Sequence, residues 1–340
     1  MTNTNDPLNT FGEDQGVSPV DSSKDDDAAT RWNELGMEHH AEGRYDQALE
    51  CFQRALDADL EVYGPSHPAV ATRLNNLGSV HHDLKEYDKA IGFYEQALKS
   101  DLATYGPGHP MVAVTWNNIA LTFDANGQHD KALEFYHKAL ESDLASFGPD
   151  HPTVAMRNAC IGLVHKAQGN LEKFVEFYWK ALQTEVAIHG QQTRDAAQRF
   201  ASLGEACAAL GQHDQSAAFY DVAYRAELKE HGEGHPLVAK RQNSLGGAHM
   251  ALGQYETALE LLEQALASDL AIYGPEHPQT AVCWNNVGMA HLLMGQTDKA
   301  RGLFAKALAT FESEFGPKHP GTVNLREKIA AIDAGRPRLH

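Results

Sequence analysis

The chain has 340 residues, 46 acidic against 28 basic side chains, a net charge of −18 and 42% hydrophobic residues. The hydrophobic share supports a packed core, while a field of that sign repels phosphate backbones and anionic lipid surfaces, which argues against nucleic acid or membrane as partner. No apolar run reaches the length of a membrane span. The four cysteines, Cys51, Cys160, Cys207 and Cys283, have no short spacing, so neither a disulfide framework nor a zinc site is expected and a reducing, cytoplasmic setting fits.

Residues 1–30 hold seven acidic side chains and one lysine, Lys24, with few large apolar residues. Such a segment cannot bury enough surface to order itself, and a disordered acidic tail is expected there. It has neither a basic nor an apolar stretch of the kind a secretory leader needs.

From Arg31 onward the chain repeats. "YGPSHPAVATRLNNLG" at 63–78 returns as "YGPGHPMVAVTWNNIA" at 105–120 and as "YGPEHPQTAVCWNNVG" at 273–288, and seven 42-residue units follow without a gap. They are 31–72, 73–114, 115–156, 157–198, 199–240, 241–282 and 283–324. Each predicts two helices. The first opens at "HP", where a proline loses no hydrogen bond, and closes near a glycine such as Gly127, Gly211 or Gly253. The second opens at an Asp (Asp46, Asp88, Asp130, Asp214, Asp298), carries apolar residues at helical spacing, and stops at the Gly-Pro pair.

Gly36, Gly78, Gly162, Gly204, Gly246 and Gly288 fall mid-helix, with Ala120 in the remaining unit. A mid-helix glycine costs about 1 kcal/mol relative to Ala, so something must approach closely. The expected neighbours are the small residues Ala48, Ala90, Ala132, Ala258 and Ala300 on the second helix. Where Phe174 and Ser216 replace that alanine, and "HGQQTRDAA" replaces the usual loop, a phenylalanine at a close-approach site is expected to spread the helices unless neighbouring changes compensate for the drift. A partner surface around Phe174 and an exposed Trp179 is the functional counterpart of that drift. After the last unit, Leu325, Ile329 and Ile332 predict a capping helix within 325–340, with Arg326, Glu327 and Lys328 turned outward and "AGRPR" as its stop.

The pattern Gly78, Ala90, Tyr94, Ala97 resembles the tetratricopeptide repeat, and the 42-residue period with "GPxHPxVA" and "NNLG" resembles its kinesin light chain-like subclass. The resemblance covers 31–324. It implies an all-α, right-handed α-solenoid of seven helical hairpins plus the C-terminal capping helix. No heptads precede the array, so it looks like a bacterial-type stand-alone array rather than a motor subunit.

In that family the first helix of each repeat lines the inner groove. The resemblance therefore implies a peptide-binding wall made by positions i, i+4 and i+7 of those helices. Asn33, Asn75, Asn117, Asn243 and Asn285 lead five of the seven rows, and an amide can grip the backbone of an extended peptide. The same amides can instead tie helix to helix. His40 and His82 follow in the first two rows, Lys166 and the flanking Lys240 supply positive charge, and Met250, Met289 and Leu292 form an apolar end. The arginines Arg31, Arg73, Arg157, Arg199 and Arg241 recur beside this face and are expected to pair with acids of the neighbouring helix.

The expected role is a protein-protein interaction scaffold or adaptor holding a peptide or extended partner segment. The alternative is a regulatory subunit acting on a separately encoded signalling or defence effector through its outer surface or degenerate middle repeats. The nineteen histidines do not converge: the "HP" histidines come once per repeat, a helix diameter apart, too far to share a metal. No phosphate-cradling loop or nucleophile motif occurs. The chain is expected not to be an enzyme and to need no cofactor.

Overall fold

The computed structural model describes residues 24–190 and 193–335. Among them are fifteen helices and no strand. The helices are α1 (Lys24–Ala41), α2 (Tyr45–Tyr63), α3 (Pro68–Asp83), α4 (Tyr87–Tyr105), α5 (Pro110–Ala125), α6 (His129–Phe147), α7 (Pro152–Ala167), α8 (Leu171–His189), α9 (Arg194–Ala209), α10 (His213–His231), α11 (Pro236–Ala251), α12 (Tyr255–Tyr273), α13 (Pro278–Leu293), α14 (Thr297–Phe315) and α15 (Pro320–Asp333). Helices α1 to α14 form seven hairpins and α15 follows as the capping helix. The chain divides into two compact units at Ser142/Asp143.

The helix starts explain the "HP" signature. His67 sits in extended backbone at the N-cap of α3, and its ring Nδ1 accepts from the Ala69 amide at 3.2 Å. The same ring stacks on Tyr63 with centroids 4.1 Å apart. His109, His151, His235, His277 and His319 repeat the cap. Their stacking partners are Tyr105, Phe147, His231, Tyr273 and Phe315. An imidazole acceptor thus satisfies one of the amides that a helix start leaves open. In the drifting repeat Thr193 does this work, its hydroxyl accepting from the Ala196 amide at 3.2 Å.

Several boundaries move. α1 begins at Lys24, so residues 24–30, assigned to the tail from sequence, are helical. Ala29, within this added stretch of helix, is 2% exposed. The disorder expected for residues 1–23 lies outside the described residues. α15 begins at Pro320 rather than near Leu325, because it uses the same "HP" start as every other odd-numbered helix from α3 on except α9. The tail beyond Gly335 is outside the described residues. In the even-numbered helices the expected opening Asp stands one residue inside, after Tyr45, Tyr87, His129, His213 or Thr297.

Four of the six mid-helix glycines meet aromatic rings first. A Cβ on Gly78 would lie 2.5 Å from Cε1 of Tyr94, and one on Gly36 would lie 2.7 Å from the Phe52 ring. Tyr220 and Phe304 press on Gly204 and Gly288 in the same way, and Leu262 on Gly246. The alanines expected as partners, Ala48, Ala90, Ala132, Ala258 and Ala300, are fully buried four residues earlier on the same helices. These five glycines are sockets for large side chains, and at Gly246 the expected alanine also approaches, with Ala258 O 3.2 Å from the Cβ position.

The spreading expected at Phe174 does not occur. There the α8 backbone itself lies against Gly162, with Tyr178 N at 3.2 Å and Phe174 O at 3.4 Å from a Cβ position. Phe174 is fully buried among Tyr178, Leu182, Phe200 and Leu203. Ser216 bonds back to Gly204 O at 2.8 Å.

Candidate binding face

The odd-numbered helices carry the residues singled out from sequence, and each unit is built from its own contacts. In the unit ending at Ser142, Asn33 Oδ1 accepts from Asn76 Nδ2 at 2.7 Å, and Asn75 Oδ1 accepts from Asn118 Nδ2 at 3.5 Å. Asn75 also donates to Thr115 Oγ1 at 3.0 Å. His40 pairs with Asp83 at 2.6 Å, and His82 Nδ1 lies 2.9 Å from Thr122 Oγ1. The rungs join α1 to α3 and α3 to α5 at two levels, so the Asn and His rows bind neighbouring odd-numbered helices to each other. Asn117 is buried, and its Oδ1 has no hydrogen-bond partner.

In the unit from Asp143 bonds of the same kind recur near its end. Asn243 Oδ1 accepts from Asn286 Nδ2 at 3.0 Å, and Asn285 Oδ1 accepts from Lys328 Nζ at 2.9 Å. Lys328 therefore does not turn outward. It takes the place of the second Asn of the "NN" pair, lies 5.4 Å from the Phe304 ring centroid, and burial pulls its ammonium below the usual lysine range. Lys166 is exposed and 3.6 Å from Glu205, and Lys240 is exposed.

The apolar end is less open than expected. Leu292 is only 6% exposed, and Met250 and Met289 are half-buried, packed against Leu262, Val287 and Ala290 or against Trp284 and Phe304. At the middle position of the i, i+4, i+7 rows, however, Met37 is 46% exposed and Leu163 is 49% exposed. Both stand in the i, i+4, i+7 rows read from sequence, without being among the binding residues named there. Their signal was available: each is a large apolar residue at the middle position of its row, between Asn33 and His40 for Met37 and between Ala159 and Lys166 for Leu163.

Four of the five arginines pair as expected. Arg73 donates to Asp59 at 2.9 Å, Arg157 to Asp143 at 3.0 Å, Arg199 to Glu185 at 2.8 Å, and Arg241 reaches Glu227 at 3.6 Å. Each acid lies on an even-numbered helix, and the base follows it by 14 residues on the next odd-numbered one. Arg31, at the same register of α1, is exposed.

The surface expected at Phe174 and Trp179 is not there as drawn. Phe174 is enclosed, and Trp179 is half-buried, 5.3 Å from Phe219 and 6.3 Å from Phe200 between ring centroids. Core packing took these rings because the drifted repeat fills the space its neighbours fill with alanine. Among the described residues no three His, Cys, Asp or Glu side chains gather as a metal site, and no helix is long and apolar enough to cross a membrane.

Six overlapping matches to the family model described as "Tetratricopeptide repeat" cover residues 26–103, 75–145, 111–184, 196–270, 237–313 and 284–337. No curated protein matches the chain. Among solved structures, the nearly identical TPR-like repeats of a kinesin light chain from Podosopora anserina superpose with TM-score 0.51 at 21% identity. That match covers 61% of this chain and 98% of the other. BtubC (BKLC) from P. vanneervenii matches with TM-score 0.50 at 18% identity, over 74% of this chain and 94% of that one. A signal transduction ATPase with numerous domains from Pyrococcus horikoshii, which has a tetratricopeptide repeat sensor, matches with TM-score 0.60 at 14% identity, over 90% of this chain and 44% of its own. At these identities the likeness is one of fold.

Proposed function

The chain belongs to the tetratricopeptide repeat family, and from that premise we propose that it is a protein-interaction scaffold holding an extended partner segment along its odd-numbered helices. One observation carries the reading. Met37 and Leu163 expose nearly half of their apolar side chains at the same register of two odd-numbered helices, one in each unit. Exposed apolar groups of this kind are anchor sites for a partner's side chains. The test replaces Met37→Glu and Leu163→Glu together. Both sites are solvent-facing, so circular dichroism and melting temperature stay as in the wild type. Capture of the cellular partner is lost; full retention by the folded double variant refutes the reading.

A second reading, a regulatory subunit that meets a separate effector through its other face, has its own support. Leu60, Leu102, Leu144 and Leu270 are exposed at one register of the even-numbered helices. If Leu60→Glu with Leu270→Glu abolishes capture while Met37→Glu with Leu163→Glu does not, the outer face is the functional one.

A further inference from the structure

The acid-arginine pairs recur at a fixed register, and at two joints the acid is present without its arginine. Asp101 on α4 has Thr115 where the arginine should be, and Asp269 on α12 has Cys283. Asp101 is 1% exposed, about as enclosed as Asp143, which has Arg157. Its carboxylate accepts from the Thr115 hydroxyl at 2.8 Å, and that hydroxyl in turn accepts from Asn75. Asp269 accepts from the Cys283 thiol at 3.1 Å. Neither donor carries a charge.

We propose that the α4–α5 joint is a proton-sensitive joint of the array, tight while Asp101 is a neutral acid and loosened when it ionises, with the α12–α13 joint at Asp269 built on the same plan. A carboxylate closed off from water needs a charged partner or a proton, and here only the proton is available. The charged and titratable groups of the packed elements are otherwise engaged. Arg73 of α3 is held by Asp59, and the His67 and His109 rings cap α3 and α5 through Nδ1. Around Asp269 the corresponding groups are Cys283 and the His277 cap.

The direction of the effect follows from the geometry. Burial pushes the Asp101 carboxyl from 3.8 up to about 6, and the Thr115 hydroxyl opposes only part of that. Burial raises Asp269 as well. A raised acid binds its proton more tightly in the folded joint than in the unfolded chain. Its favourable contribution is therefore complete below pH 3.8 and is lost as pH rises through about 6. At neutral pH the joint encloses an ionised carboxylate with no cation. Protonation removes the charge and still leaves a carbonyl oxygen to accept from Thr115, so the neutral acid keeps the chain Asn75–Thr115–Asp101 that ends on the candidate face.

Hydrogen exchange on the full chain tests this, comparing Asp101→Asn with wild type at matched pH. Asn keeps the acceptor for Thr115 and removes the charge. At pH 7.5 the variant exchanges several-fold more slowly than wild type across 87–125, while 152–189, which contains Arg157, is unchanged. At pH 4.5 the two proteins coincide. Thr115→Arg restores the missing base and gives the same protection at pH 7.5. Equal exchange of wild type and Asp101→Asn at pH 7.5, or a difference that persists undiminished at pH 4.5, overturns the proposal.

Discussion

Arg157 donates from Nε to Asp143 Oδ2 across 3.0 Å with both side chains almost fully enclosed, joining α6 to α7. Removal of one partner leaves the other charge stranded in the interior, which costs about 3–5 kcal/mol. Asp143→Ala is therefore expected to lower the urea midpoint sharply. The double variant Asp143→Leu/Arg157→Met recovers most of the loss, because two apolar side chains of similar volume need no compensation. A double-mutant cycle by urea denaturation measures both.

Gly78 and Gly92 should answer the same substitution with opposite signs. Alanine is the better helix former at either site by roughly 0.8–1 kcal/mol. A Cβ at Gly92 meets nothing within 4 Å, so Gly92→Ala stabilises. At Gly78 the added atom runs into the buried Tyr94 ring, and overpacking of about 1–3 kcal/mol outweighs the propensity gain. Thermal unfolding of the two single variants decides it.

Lys85 has φ 60, the only non-glycine among the described residues with positive φ. Gly43, Gly127, Gly169, Gly211, Gly253 and Gly295 occupy the same turn in the other hairpins. A left-handed conformation costs an L side chain about 1–2 kcal/mol, so Lys85→Gly is expected to raise the melting temperature although it deletes a charge and adds no contact. An unchanged or lower value would show that this turn carries no strain.

The imidazole caps are exchangeable for other acceptors. His67→Ala should cost about 1 kcal/mol and speed hydrogen exchange at the start of α3, because the Ala69 amide loses its acceptor. His67→Asn keeps an acceptor and should lose less, forfeiting mainly the stack on Tyr63. Thr193→Ala should resemble His67→Ala at α9. Exchange rates of the helix-start amides in the three variants give the comparison.

Periodicity made the hairpins, the "HP" starts and the glycine stops legible in the sequence, since local propensity and a strict repeat act along the chain and need no knowledge of neighbours. The pairing of the recurring arginines with acids was legible for the same reason: a constant 14-residue offset repeats with the hairpin. What lay beyond reach was how each interior space is filled. Four of the glycines take the ring four residues past the small residue, and Phe174 is swallowed by the core where a spread joint was expected. Asn75 and His82 spend their hydrogen bonds on α5, and Lys328 turns inward to Asn285. All of these depend on which side chain of an adjacent helix reaches a given atom. That is set by how the helices pack against one another in three dimensions, and a one-dimensional repeat does not carry it.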